Sequence, residues 1–315
     1  MNMGGPDSLE AVKPFLGNLF SDRDIIRLGP AFLQKPLASL IINLRLKKTK
    51  EIYGLIGGKS PLAEITEAQA KMLEEFLNSG HVQPRNGRLR VYAGMRYWHP
   101  FIADTVRRMK EDGITEVLAV SLYPHYSAAA TGSTMKMSEA VMRQYGMKYS
   151  SVTSWYNHPG YISALMEKIE EGLKSFNEKP VVLFSAHSLP IKFIEEGDPY
   201  EKEIRGTIDA LTKRTGIDWH LSFQSKTGPV RWLGPSTESM LHELAGRGVK
   251  DLLVVPISFV SDHIETLYEI DILYGDLAKG LGINMKRTGA LNTAPRFIEA
   301  LGDIVIGKLK EWEGK

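Results

Sequence analysis

The strongest constraint on this chain is the way its hydrophobic period keeps switching. Short runs rich in β-branched residues, or alternating apolar and polar, read as strands near Arg88–Gly94, Glu116–Tyr123 and Lys148–Trp155. A second set reads at Val181–His187, Asp218–Ser225, Asp251–Ser258 and Asn284–Leu291. Between them lie stretches of helical period at Thr66–Asn78, Pro100–Glu111, Tyr161–Lys174, Tyr200–Lys213, Thr237–Arg247 and Pro295–Trp312. Strands that alternate with helices imply α/β architecture with mostly parallel strands, since a parallel neighbour is reached only by a crossover. Helix ends are punctuated: Thr66 with Gln69 forms a capping-box pattern, and Gly113 and Gly248 stand where helices should stop.

At 315 residues and about 150 residues per domain, two domains are expected. The second half reads as four strands and the first as three. The strand at Val181 runs straight into the polar loop Ser185–Pro190, whereas the loop Asn2-Met3-Gly4-Gly5-Pro6 has no strand before it. The missing first strand of the N-terminal sheet is therefore expected upstream of Met1.

Composition removes several function classes. Apolar residues at 43% suffice for a sizeable core, which excludes wholesale disorder. The 39 Lys and Arg nearly balance 37 Asp and Glu, giving +2, which argues against a chain-wide nucleic-acid binder. There is no cysteine, so thiol nucleophiles, disulfides, Cys-ligated zinc and iron–sulfur clusters are excluded, and any metal falls to His, Asp or Glu. Apolar runs such as Leu252–Val260 are far short of the ~18–20 residues of a spanning helix, and no signal-peptide pattern opens the chain. The expectation is a cytoplasmic protein. One stretch, Phe32–Lys48, is strongly apolar and ends in a basic cluster. It has two open readings, a buried core helix or an amphipathic lip facing an apolar ligand or a membrane surface.

Two segments carry chemistry. Val181-Val-Leu-Phe-Ser-Ala-His-Ser-Leu-Pro190 delivers His187 to a strand's C-terminal end, where open α/β sheets place ligands. Val254-Val-Pro-Ile-Ser-Phe-Val-Ser-Asp-His-Ile-Glu-Thr-Leu-Tyr-Glu-Ile-Asp271 begins as a buried strand and opens a helix, with Ser261 or Asp262 as N-cap. Glu265 and Glu269, four apart, share one face of that helix. A solvated acidic face would not need His263 and two carboxylates in so apolar a setting, whereas desolvated groups of these types exchange protons near neutrality. His187 and Glu265 offer an N/O site with open positions, suited to transient delivery of Fe²⁺, Zn²⁺, Co²⁺ or Ni²⁺. No HExxH is present, and neither Gly57-Gly58 nor Met3-Gly4-Gly5-Pro6 completes a nucleotide-binding fingerprint.

At these residues the chain resembles ferrochelatase, the family that inserts ferrous iron into a porphyrin. The resemblance runs nearly end to end. It rests on Asn2-Met-Gly-Gly-Pro6, Ile56-Gly-Gly-Lys-Ser-Pro61, Gly94-Met-Arg-Tyr-Trp-His-Pro100, Tyr123-Pro-His-Tyr-Ser127 and Leu183-Phe-Ser-Ala-His-Ser-Leu-Pro190. It continues through Gln224-Ser-Lys-Thr-Gly-Pro229, Trp232-Leu-Gly-Pro235 and Ser261-Asp-His-Ile-Glu-Thr-Leu-Tyr-Glu269. The resemblance implies two Rossmann-like domains with parallel four-stranded sheets and an active-site cleft between them. These are residues 1–155 and 156–292, with a C-terminal helix over about 293–315 packing back on the first. It assigns His187 and Glu265 to the metal, His187, Glu265, Glu269 and His263 to catalysis, and Met3, Arg96, Tyr97, Tyr123 and Trp232 to the porphyrin pocket. Arg45, Lys48, Tyr53 and Ser60 would lie near the propionates, where cations pair with carboxylates. Phe32–Leu44 then reads as the pocket's lip, with peripheral membrane contact through residues 32–48.

The implied reaction is insertion of Fe²⁺ into protoporphyrin IX with release of two protons, the terminal step of haem synthesis. No tightly bound cofactor is expected, Fe²⁺ is a substrate, and neither nucleotide nor nucleic acid is a partner. Some members carry a third acid four residues beyond Glu269, where this chain has Leu273. Met3 replaces the Tyr of coproporphyrin-using relatives and favours protoporphyrin. The alternatives are a coproporphyrin III or other tetrapyrrole chelatase, and, from another class, a non-catalytic tetrapyrrole- or metal-binding protein.

Overall fold

A computed structural model describes residues 1–26, 28–81, 88–213 and 215–313. It divides into two compact units, one of Met1–Leu122, Ala128–Thr153 and Val305–Lys315, the other of Tyr123–Ser127 and Ser154–Ile304.

The second unit is built on a four-stranded parallel sheet of order β4-β3-β5-β6, with β3 at Val181–His187, β4 at Trp219–Gln224, β5 at Asp251–Pro256 and β6 at Asn284–Arg287. Its helices are α6 (Pro159–Leu173), α7 (Ile191–Glu195), α8 (Tyr200–Thr212), α9 (Thr237–Gly246) and α10 (Gly275–Gly280), with α11 (Pro295–Glu313) running on into the first unit. Alternation along the strands serves both faces. Leu183, Leu252 and Val254 pack with Met240, Leu241 and Leu244 of α9 and with Ile270, Tyr274 and Ala278. On β5 the intervening Leu253 meets α6 so closely that a Cβ at Gly172 would lie 2.8 Å from its Cδ1. Strands buried on both faces are why Val181–Phe184 and Leu252–Val255 read as continuous apolar runs.

The first unit holds a parallel pair, β1 (Glu116–Val120) with β2 (Lys148–Val152), and the helices α1 (Val12–Ser21), α2 (Gln34–Leu55), α3 (Leu62–Phe76), α4 (Ile102–Glu111) and α5 (Ser133–Gln144). Its core joins Ile102, Val106 and Met109 of α4 to Val117 of β1, Met142 of α5 and Met147.

Three expectations need correction here. The run Arg88–Gly94 forms no strand. Side chains take several of its backbone bonds instead: Val91 donates to Glu74 Oε2 at 2.8 Å, Leu89 exchanges bonds with the Asn78 amide, and Ala93 accepts from Thr105 Oγ1, while the Gly94 carbonyl accepts from the Asn2 N–H. Met95 makes only isolated bridges, to Asn2 and Phe101. The first sheet therefore shows two strands among the described residues, not the three read from sequence, nor the four the resemblance implied. Thr66 is no cap, because α3 begins at Leu62 and Thr66 Oγ1 donates to Leu62 O while accepting from Asn2 Nδ2. The helix stops at Gly113 and Gly248 hold, both glycines lying at positive φ.

The stretch Phe32–Lys48 is not a buried core helix. A short 3₁₀ turn at Ala31–Leu33 leads into α2, which buries Ala38 and Ile42 against Phe20 while Phe32, Leu40 and Leu44 stay 77%, 57% and 76% exposed. Among the described residues no helix is long and apolar enough to cross a membrane. Leu183→Ala should destabilise the fold by about 2–5 kcal/mol, since it empties a fully buried site. Phe32→Ala should stay within about 0.5 kcal/mol; urea unfolding of the two variants makes the comparison.

Candidate active site

The strand order places a crevice before any side chain is considered. From β3 the chain goes to β4 on one side and returns to β5 on the other, so the connections leave the carboxyl ends of β3 and β5 in opposite directions. Ligands of open α/β sheets bind at such switch points. The last residue of β3 is His187. Its backbone is pinned at both polar groups: the N–H donates to Ser258 Oγ at 3.0 Å and the carbonyl accepts from Tyr200 Oη at 3.0 Å. Its Nδ1 lies 2.8 Å from Glu265 Oε2, which leaves Nε2 as the ring atom available to a substrate. The His187 side chain is 37% exposed, whereas Glu265 is 16% exposed. An accessible imidazole is thus backed by a buried carboxylate.

Glu265 opens a ten-residue π-helix, Glu265–Tyr274. Ser261 and Asp262 do not cap it. Asp262 accepts from Thr266 Oγ1 through its side chain, and Ser261 accepts through its carbonyl from His263 Nδ1. π-Helical turns are uncommon and frequent at functional sites. Glu265 and Glu269 do share one face, and Ser225 Oγ sits 2.5 Å from Oε2 of each. One hydroxyl proton serves one acceptor at a time, so Ser225 bonds to either acid in turn and links the two. The Ser225 N–H also donates to Glu269 Oε1 at 2.9 Å, which its left-handed backbone (φ 65°) permits. Gln224 Nε2 reaches the Glu265 carbonyl and Glu269 Oε2, both at 3.2 Å, and Tyr274 Oη donates to Glu269 Oε1 at 3.2 Å. Behind Gln224 stands a fully buried hydroxyl network of Ser185, Thr237 and Ser222.

Charge within this cluster is unevenly held. Burial works against ionisation of Glu265, but the charge of His187 and the hydrogen bond to it prevail and hold the carboxyl well below the usual carboxylate range. Burial opposes protonation of His187, and the same Glu265 charge and hydrogen bond, helped by Glu269, raise it above 6.5. Glu269 is pushed up by burial and by the Glu265 charge. His263 is 5% exposed and stacks edge-on to Phe259; its Nδ1 donates to Ser261 O at 3.1 Å, directing Nε2 toward Glu265 Oε1 at 3.8 Å. Among the described residues no group of three or more His, Asp or Glu could hold a metal.

The other residues singled out from sequence divide between the two units. In the first, Met3, Arg96, Tyr97 and Ser60 come together. Tyr97 N–H donates to Met3 O, Arg96 N–H donates to Asn2 O, Ser60 N–H donates to Pro6 O, and a Cβ at Gly5 would lie 2.6 Å from Ser60 Oγ. Arg96 is not a free cation. Its Nη2 lies 2.6 Å from Asp22 Oδ2, which also accepts from Tyr97 Oη at 2.6 Å. Despite its burial, Asp22 titrates below its usual range because of these two donors. Arg45 and Lys48 are exposed on α2, and Tyr53 is buried. In the second unit, Trp232 is bridged to Pro190. Tyr123 sits on a loop tied to α8 by Tyr126 N–H to Glu203, by Ser127 Oγ to Asp198, and by His125 Nε2 to Thr207 Oγ1. Burial pulls the His125 pKa down to about 3, so it is a neutral strut.

Sequence reasoning missed Ser225, Gln224, Tyr274 and Asp22. For Ser225 and Gln224 the signal was available, since they end the Asp218–Ser225 strand beside the one carrying His187. Asp22 had none, because the pairing to Arg96 spans 74 residues.

The fold is that of a chelatase. It matches the sirohydrochlorin chelatase SirB of Bacillus subtilis subspecies spizizenii in complex with cobalt (TM-score 0.55, 16% identity, 79% of this chain and 92% of that one). It matches SirB from Bacillus subtilis with Fe³⁺ at a TM-score of 0.59, 14% identity and 80% and 92% coverage. A family model for ferrochelatase matches residues 1–309. Proteins named ferrochelatase from Geotalea uraniireducens and Geobacter metallireducens are 52% and 51% identical over 97% of this chain, covering 95% and 96% of their own lengths. The chain belongs to the ferrochelatase family, metal-insertion enzymes of haem biosynthesis whose substrates are a porphyrin and iron.

Because the folded-state pKa of His187 lies above 6.5, its stabilising charge is complete below that pH and is lost as pH rises through the folded value. NMR titration of the metal-free protein should place the His187 imidazole above 6.5, and Glu265→Gln should move it downward.

Proposed function

We propose that the chain inserts Fe²⁺ into protoporphyrin IX, releasing two protons, with His187 as the base that accepts pyrrole protons. The observation that carries this reading is the pairing of a part-exposed imidazole with a buried carboxylate inside a short acidic ladder. Metallation needs a group that takes a proton from a bound macrocycle and passes it away from an incoming cation. With Nδ1 committed to Glu265, Nε2 of His187 faces outward. Neutral His187 keeps its one ring proton on Nδ1 toward Glu265, so Nε2 takes a proton from a pyrrole nitrogen and Glu265 stabilises the resulting imidazolium. Glu269, whose pKa is raised, is suited to receive a proton relayed through Ser225, and Tyr274 extends the chain of polar groups beyond it. Loss of the Nε2 proton to water at the exposed edge of the ring restores the lone pair that takes the second pyrrole proton. Until Nε2 carries a proton, its lone pair and a Glu265 oxygen also offer nitrogen and oxygen to Fe²⁺ as it sheds water, and His263 supports the Glu265 charge.

Protoporphyrin rather than coproporphyrin is favoured by Met3, an apolar and adaptable surface for a macrocycle carrying fewer carboxylates. Arg45 and Lys48, exposed on α2, suit the propionates, and the partly exposed Tyr123 and Trp232 supply packing surface, while Arg96 and Tyr97, their side chains buried and bonded to Asp22, hold the Met3 loop through their backbone N–H groups. The exposed Phe32, Leu40 and Leu44 beside Lys35, Arg45, Lys47 and Lys48 support peripheral contact with an anionic membrane surface.

An anaerobic assay with Fe²⁺ and each porphyrin, read by the absorption change on metallation, should show turnover with preference for protoporphyrin. Binding without turnover would return the chain to the non-catalytic reading, and an inverted preference would overturn the role given to Met3. His187→Ala should lower turnover by about 10²-fold or more, with porphyrin affinity within a few-fold of the parent.

A further inference from the structure

We infer that Arg287, on the edge strand β6, is a positioning residue that holds the π-helical segment in the register that presents Glu265 and Glu269. Its guanidinium makes a bidentate fork with Asp271, Nε to Oδ1 at 2.7 Å and Nη2 to Oδ2 at 2.8 Å. Its Nη1 lies 3.0 Å from Asp262 Oδ1. One planar cation thus ties the turn before the π segment to a point inside it, with both site carboxylates between the two ties.

Each tie leads on to the site. Asp262 Oδ1 accepts from Thr266 Oγ1 at 3.0 Å, and Thr266 Oγ1 accepts from the His263 N–H at 3.0 Å, which sets the backbone two residues before Glu265. The other oxygen of Asp262 accepts from Asn292 Nδ2 at 2.8 Å, and its N–H donates to Asn292 Oδ1 at 2.9 Å. Arg287 is itself well anchored. It is 11% exposed and its backbone is in register with Val254 of β5, the strand beside the one that bears His187.

The physical need is clear. An i→i+5 helix is less favourable than an α-helix, and this one carries two close carboxylates that repel. Returning the segment to i→i+4 bonding would rotate each later residue further about the helix axis. Glu269 would leave Ser225, and Asp271 would leave the guanidinium. The fork is directional, so it opposes that rotation in a way a point charge does not.

The inference rests on the proposed metallation reading only for its kinetic consequence, so the experiment reads two independent quantities. Arg287→Gln, Arg287→Lys and Asp271→Asn would be compared with the parent by amide hydrogen exchange and by anaerobic Fe²⁺ and protoporphyrin kinetics. In Arg287→Gln, exchange within 265–274 should accelerate at least about tenfold while β3 and β5 amides keep parental rates. Turnover should fall by about tenfold or more with KM for porphyrin within twofold. Arg287→Lys should recover only part of both, since it restores charge without the fork, and Asp271→Asn should move both in the same direction by less. Parental exchange in 265–274 would overturn the clamp, as would acceleration spread equally over β3 and β5. If Arg287→Gln does not fold, Asp271→Asn decides by the same criteria. A parent that exchanges as described but does not metallate would defeat the functional reading and leave the clamp standing.

Discussion

A carboxylate only 16% exposed, as that of Glu265 is, stays charged against its burial because His187 lies 2.8 Å away, with His263 adding to its effect. Removing a carboxylate from water costs several kcal/mol, and a partner in excellent geometry offsets that only when the remaining lone pairs are also satisfied. Much of the second unit meets this demand. The β3 strand end pins the imidazole from both sides, the π-helix brings the acid to it, and Gln224 with its hydroxyl network joins the two carboxylates to the sheet. Losing His187 would leave the Glu265 charge without its nearest cation, whereas losing Gln224 would remove only a neutral tie between the carboxylates and the sheet.

The same arrangement sets the two acids apart. Glu265 lies next to the imidazole and is held ionised, while Glu269, burdened by burial and by the Glu265 charge, binds its proton more tightly. Groups of one chemical type with separated proton affinities form a direction for proton movement. Leu273, four residues beyond Glu269, is apolar and 47% exposed, and the polar group bonded next to Glu269 is Tyr274.

Some of this could be read one residue at a time. The strands of the second unit came out within a few residues because buried parallel strands write continuous apolar runs. His187, Glu265 and Glu269 were legible because polar, titratable side chains break such runs. Arg88–Gly94 was misread for a related reason. Alternation records which side chains face inward and says nothing of whether a neighbouring strand is present to pair with. Here Glu74, Asn78 and Thr105 take the backbone bonds a ladder would have used. The caps at Thr66 and at Ser261 or Asp262 failed because their hydroxyl and carboxylate groups serve bonds set by packing.

The amino-acid order alone determined the α/β class, the polar residues at the ends of β3 and β5, and the exclusion of thiol chemistry, since each depends on local period or on residue identity. Tertiary structure alone decided that the acids ride a π-helix, that Ser225 with a left-handed backbone joins them, and that Arg96 is spent on Asp22 and Arg287 on Asp262 and Asp271. It also decided that Phe32, Leu40 and Leu44 face outward. Those outcomes depend on which distant groups meet at a shared boundary, and a charge or hydroxyl carries no mark of its partner until the sheet has brought the two within hydrogen-bond reach.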